Sequence, residues 1–266
     1  MATLLILILG YALLTPLEVL LGGKVRRSRR ANLVMVLPTM LSAGLAGAAV
    51  AGVALWGSDH DLGLLPWAGI HGPLAALLAF LALDLEGYAD HRIRHRVGLL
   101  WRAHRAHHTD TEVDVTTSLR NHPFDVATIV VVSSLAALAI GAEPWVVALS
   151  GLVGAAFGIW DHIRIALPTR VERTIALVFQ TPGMHRVHHS PHRHQTDSNF
   201  GLVLSVWDRL FGTFSTPDPH CETGLDTADL ADRQGVRAML ADPWRPTVPL
   251  AVVAADEAPA AAPLAA

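Results

Sequence analysis

Apolar residues along this chain come in long runs, with two polar blocks set between and after them. The runs are Ala2 to Gly22, Leu33 to Trp56, Ile70 to about Leu85, Phe124 to Gly141 and Pro144 to Trp160. A helix of roughly 20 apolar residues spans the hydrocarbon core of a bilayer. The first three runs therefore predict spans. Each of the last two, roughly 17 residues long, predicts a short span or one arm of a tight hairpin turning at Glu143-Pro144. Pro16 and Glu18 break the first run. The polar blocks are Val97 to Pro123 and a long amphipathic stretch from His162 to Phe214. Within the latter, Trp207, Leu210, Phe211 and Phe214 are spaced i, i+3, i+4, i+7, the pattern of one apolar helical stripe. Such a stripe either packs on the polar cap or lies at the membrane surface. Residues 1–250 are expected to form one domain. Residues 251–266, rich in Ala and Pro, are expected to be a disordered tail.

Composition sharpens the membrane reading. Of 266 residues, 52% are hydrophobic and only 16% charged. A net charge of −3 offers no basic surface for nucleic acid. Lys24, Arg26, Arg27, Arg29 and Arg30 follow the first run instead of preceding it, which favours a retained helix over a signal peptide. Basic residues stay in the cytoplasm, so the N-terminus is placed outside. Counting spans then puts both polar blocks on the cytoplasmic side. Arg92, Arg94, Arg96, Arg102 and Arg105 agree independently, and Trp56, Trp67, Trp145 and Trp160 fall at predicted span ends. The expected fold is all-α: an integral membrane protein with four to five membrane-embedded helices and a cytoplasmic, histidine-rich helical cap. The cell membrane is the expected location.

Histidines then change the picture. His104, His107 and His108 are spaced i, i+3, i+4, and so are His185, His188 and His189; His91 and His95 are spaced i, i+4. On a helix these positions share a face, so each triplet is expected to converge on one point. Head-group binding needs charge and not this spacing, and Lys or Arg would serve it better. Cys221 is the sole cysteine, so nitrogen and oxygen must supply any ligands. One first-row ion takes four to six ligands. Eight clustered histidines, or nine with His162, suit two ions with four or five nitrogens each. Imidazole accepts iron, zinc or copper alike, so spacing does not name the metal. His60, His71 and His220 lie outside the clusters and read as ordinary surface or core residues.

The motifs EGYADHRIRH (Glu86 to His95), WRAHRAHH (Trp101 to His108), SLRNHPFD (Ser118 to Asp125), DHIRIALP (Asp161 to Pro168), MHRVHHS (Met184 to Ser190), DSNFG and WDRLFGTF (Asp197 to Phe214) occur in that order. Together they resemble the fatty acid hydroxylase/sterol desaturase superfamily of membrane-bound di-iron enzymes, over about half the chain. The resemblance implies that His91, His95, His104, His107, His108, His162, His185, His188 and His189 are the catalytic metal ligands. It adds His122, as a ligand or a support to one, and makes Asp197 and Asn199 residues that orient ligand imidazoles. Some relatives carry a further histidine where Ala166 stands here. His192 and His194 read as supporting or surface residues. The implied cofactors are two ferrous ions, which zinc can replace in purified protein, with O2 as co-substrate. The implied reaction is hydroxylation or desaturation of a lipid C–H bond. With no Rossmann glycine fingerprint and no iron–sulfur cysteines, electrons are expected from a separate partner of cytochrome or ferredoxin type. Arginines flanking the clusters either dock that acidic carrier or simply anchor the cytoplasmic face.

Two rivals remain at this level. Carotenoid hydroxylases carry similar histidine boxes. A non-enzymatic membrane metal-binding or transport protein would place its ligands near the midplane of the spans, whereas these histidines sit at span ends.

Overall fold

A computed structural model of the chain describes residues 2–20, 27–226 and 230–245. Its helices are α1 (Ala2–Leu20), α2 (Arg27–Val34), α3 (Val36–Asp59), α4 (Leu64–Trp67), α5 (Gly72–Arg96), α6 (Gly98–His108), α7 (Pro123–Ile140), α8 (Pro144–His162), α9 (Thr169–Ile175), α10 (Pro182–His188), α11 (Arg193–Thr196), α12 (Val206–Leu210) and α13 (Val236–Ala241). Among the described residues there is no strand, only an isolated bridge between Phe179 and Leu204. The expected tail, 251–266, and the cluster residues Lys24 and Arg26 lie outside the described residues.

Among the described residues, four segments are long and apolar enough to cross a membrane: Leu41–Trp67, Gly72–Arg96, Pro123–Ile140 and Pro144–His162. Proline at the first turn and glycine past the last set the limits of α7: Pro123 follows the cap residue His122, and Gly141 closes the helix at φ +75°. Gly141 backs onto Gly63 and Pro66, and a Cβ at Gly63 would strike the Gly141 backbone. Helices in a bilayer gain little from the hydrophobic effect and associate by close packing. Accordingly the contact between α3, α5, α7 and α8 is built from Val50, Ala54, Ala79, Leu83, Ala137, Val146 and Val147. Leu45, Leu74, Leu77, Val131 and Leu135 face outward.

α1 runs unbroken through Pro16. Two expectations change. The third span does not end near Leu85 but continues as one helix to Arg96, so His91 and His95 ride on the span itself. The amphipathic stretch from His162 to Phe214 folds into α9 to α12 and loops, with Asn199 at φ +53° and Gly212 at φ +69°, and α12 ends at Leu210, short of the expected helical stripe to Phe214. The stripe therefore breaks. Trp207 donates its indole N–H to Asp84 (2.8 Å), Phe211 stacks on Tyr88 at 5.4 Å, and Leu210 stays exposed.

Buried ion pairs hold the cap to the spans. Glu18 accepts the Arg164 backbone N–H at 2.7 Å and pairs with Arg29 (3.3 Å), which also pairs with Asp114 at 2.6 Å. Arg94 binds Asp90 and Asp125, and Arg105 binds Asp242. Several arginines counted above as cytoplasmic charge are thus internal struts. Arg96 and Arg102 remain exposed.

Candidate metal centre

Four stretches of chain bring nine histidines together beneath the cap. α5 supplies His91 and His95, α6 supplies His104, His107 and His108, and α8 ends on His162. α10 supplies His185 and His188, with His189 as its C-cap. All nine are buried. They form two groups. His91, His95, His104, His108 and His188 make one, and His107, His162, His185 and His189 the other; within each, the ligand atoms lie within 4.8 Å of one another.

The division corrects the expectation that each triplet converges on one point. Residues four apart stay together: 91 with 95, 104 with 108, 185 with 189. The member three along goes to the other group, so the neighbours His107 and His108, like His188 and His189, are split. One residue step turns a helix by about 100°, so adjacent side chains cannot aim at one point, whereas four steps return close to the same face. The groups abut: the rings of His108 and His189 stack at 4.5 Å.

Nε2 atoms face one another inside each group. His104 Nε2 lies 3.1 Å from that of His91 and 3.3 Å from that of His108. In the second group His162 Nε2 is 3.2 Å from that of His107 and 3.0 Å from that of His185, which is 3.1 Å from that of His189. Four rings have the outer nitrogen engaged. Nδ1 of His91 meets the Phe200 carbonyl (3.0 Å), Nδ1 of His104 meets Asp125 (3.1 Å), Nδ1 of His162 meets the Gly158 carbonyl (2.6 Å), and Nδ1 of His188 meets the Ser198 carbonyl (2.8 Å). A ring that donates from Nδ1 presents a bare lone pair at Nε2. Such lone pairs turned on one another repel unless a cation lies among them. Nε2 of His188 and both ring nitrogens of His95 are buried with no hydrogen-bond partner.

Burial disfavours the charged form of five of these rings. Burial, followed by neighbouring histidines, holds His107, His108, His185 and His189 well below the ordinary histidine pKa; burial takes His188 down to about 3. Neutral imidazole is the form that ligates a metal. Phe200 and Trp101 wall the five-histidine group, with Phe200 5.1 Å and Trp101 4.8 Å from the His95 ring. A nitrogen-only, preassembled and buried donor set fits first-row transition ions such as iron or zinc.

His122 stands apart from both groups. Its Nδ1 accepts the Phe124 N–H (3.1 Å) and its Nε2 reaches the Leu240 carbonyl (3.2 Å), so neither nitrogen is free for a metal. Asp197 lies 3.4 Å from Nδ1 of His95. Asn199 makes no hydrogen bond to an imidazole among the described residues: it donates to the Met184 carbonyl and accepts from the Ser215 N–H. His192 and His194 are exposed, as are His60, His71 and His220. Sequence reasoning missed Asp125, which lies in the quoted SLRNHPFD motif but whose bond to His104 spans 21 residues.

Apolar spans capped by two buried histidine clusters define an integral membrane protein with a candidate metal centre. The sequence profile described as "Fatty acid hydroxylase" matches residues 76–213, just over half of the 266 residues, and the chain belongs to that family. Human alkylglycerol monooxygenase is 31% identical over 173 residues, 65% of this chain and 37% of that protein. The zebrafish protein of the same name is 30% identical over 173 residues, with the same coverage. Ornithine lipid hydroxylase OlsE of Rhizobium tropici is 32% identical over 169 residues, 63% of this chain and 50% of that protein. The match thus spans half or less of these relatives. No solved structure gives a significant match.

Proposed function

We propose that this protein is a membrane-bound di-iron oxygenase that inserts oxygen into a lipid C–H bond. The observation that carries the reading is the pair of adjoining histidine groups, five and four, with lone pairs turned inward. The relatives named monooxygenase and hydroxylase favour hydroxylation over desaturation. Carried through, C–H, O2, two electrons and two protons give C–OH and water. His91, His95, His104, His108 and His188 would hold one ion and His107, His162, His185 and His189 the other. Two irons there would supply dioxygen reduction and attack on an unactivated C–H bond, chemistry that no side chain performs.

The chain's own part is preparation. Burial favours the neutral form of His107, His108, His185, His188 and His189. Asp125 and the carbonyls of Gly158, Ser198 and Phe200 fix ring orientation through Nδ1, as supporting groups around metals do. Phe200 and Trp101 exclude water from the five-histidine group. The lipid enters from the bilayer with its tail among the spans. A separate cytochrome- or ferredoxin-type carrier delivers electrons, and the centre faces the cytoplasm at the cell membrane. Zinc binds the same nitrogens in overexpressed protein.

Lipid profiling by mass spectrometry with and without expression, under 18O2, tests the reading. One lipid class should gain a single labelled oxygen, and that product should vanish in His188→Ala. An unchanged lipid profile with iron-loaded protein in the membrane would refute it.

A further inference from the structure

A cavity of about 420 Å³ opens on the cap beside the four-histidine group. The segments that carry that group run out into its walls. Glu112 lies a few residues beyond His107, Arg164 two beyond His162, and Arg186 directly follows His185. The wall formed by Cys221 and Thr223 is tied to the fourth histidine, because the next residue, Gly224, donates its N–H to the His189 carbonyl at 3.0 Å. The cavity therefore lies against the chain segments that carry this half of the centre, an outer vestibule by position only, and none of the four histidines lines it.

Arg164 and Arg186 share its wall with Glu112 and Glu222. Arg164 reaches Glu112 at 3.1 Å. Arg186 is largely withdrawn from solvent and donates to the Val113 carbonyl at 2.9 Å, yet it has no ion pair among the described residues. Arg164 acts on it unfavourably, while Glu18 and Glu112 act on it favourably without pairing directly. Two guanidinium groups on one wall, one of them without a direct ion pair among the described residues, present planar N–H forks to an oxyanion, which such forks bind bidentately. Glu222 is exposed at the rim and does not fill that role.

We propose that this vestibule binds a phosphate group, with Arg186 as the principal anchor and Arg164 as the second. The group belongs either to a free phosphate or to the head of an anionic lipid. The lipid-head arm rests on the lipid-oxidising reading above, in which the head would sit at the vestibule while the chain runs past the histidines. The anion site does not rest on that reading.

Thermal unfolding of the zinc-loaded, full-length protein in nanodiscs tests this without any turnover. The probes are inorganic phosphate, lysophosphatidic acid and a monoacylglycerol of the same chain length. A ligand that binds only the folded state raises the midpoint in proportion to its occupancy. Lysophosphatidic acid should raise it saturably, the neutral monoacylglycerol should not, and Arg186→Met should remove the shift. An equal effect of inorganic phosphate identifies a free-anion site; an effect of the lysophospholipid alone identifies a head-group site. If Arg186→Met does not fold, Arg164→Met should weaken binding at least tenfold. No shift with either phosphate probe, or a shift that survives in the variant that folds, overturns the proposal. Loss of lipid oxidation with the shift intact would instead count against the function proposed above.

Discussion

His107 and His108 are consecutive residues, yet their rings stand 5.5 Å apart and nearly perpendicular at 86°, each in a different histidine group. If each group holds one ion, alanine at these neighbours has separable effects. His108→Ala should empty the five-histidine group, and His107→Ala the four-histidine group. Elemental analysis should fall from about two metals per chain to about one in either variant. Cobalt-substituted samples should show that the remaining spectrum differs between them. Identical residual spectra would mean that the groups are not independent.

Asp125 is the only carboxylate hydrogen-bonded to a ring of either group among the described residues, through Nδ1 of His104. Its other oxygen is held by Arg94, which also binds Asp90 at 2.6 Å. Asp125→Asn keeps the shape but offers Arg94 a weaker acceptor and leaves the His104 tautomer unfixed. Losses of roughly 10–100-fold in metal affinity are usual when such a supporting group goes. A competition titration with a chelator should show that loss in the five-histidine group and leave the other group's affinity within error.

Much of this was readable in the chain because its signals are local. Spans such as Pro123–Ile140 announce themselves by apolar length, and His91, His104 and His185 by their spacing to partners on the same helix. What stayed hidden depends on residues far apart. Which group each histidine joins follows from how α5, α6, α8 and α10 are turned against one another. Glu18 looked like a break in a span, but it binds Arg164 across 146 residues and joins α1 to the segment after His162. The long amphipathic stretch misled because periodicity does not reveal the left-handed turns at Asn199 and Gly212.

His122 carries the sharpest contrast between motif and geometry. With Nδ1 on the Phe124 N–H and Nε2 at the Leu240 carbonyl, it caps α7 and pins the C-terminal segment. His122→Ala should therefore keep the wild-type metal content. It should lose stability of about 1 kcal/mol, the usual cost of removing a helix cap. Elemental analysis and the unfolding midpoint are the two readouts. Metal loss in a folded variant would return His122 to the ligand set.

Asp208 organises the loop that steadies His91. It accepts the N–H groups of Phe200 (2.7 Å) and Gly201 (2.9 Å), the Gln180 amide (2.9 Å) and the Thr213 hydroxyl (2.7 Å), while the Phe200 carbonyl meets Nδ1 of His91. Burial raises its pKa to about 6, although these four donors oppose the rise. A carboxyl with a raised folded-state pKa binds more protons folded than unfolded between the two values. Its contribution to stability is then full below the unfolded value near 4 and falls as pH rises through about 6. The difference in unfolding midpoint between wild type and Asp208→Asn, followed from pH 4 to 7, should therefore shift against the wild type by an amount corresponding to on the order of 3 kcal/mol. A difference that stays flat over that window, or grows in favour of the wild type, would show that the four donors hold the carboxylate ionised and that burial does not control it.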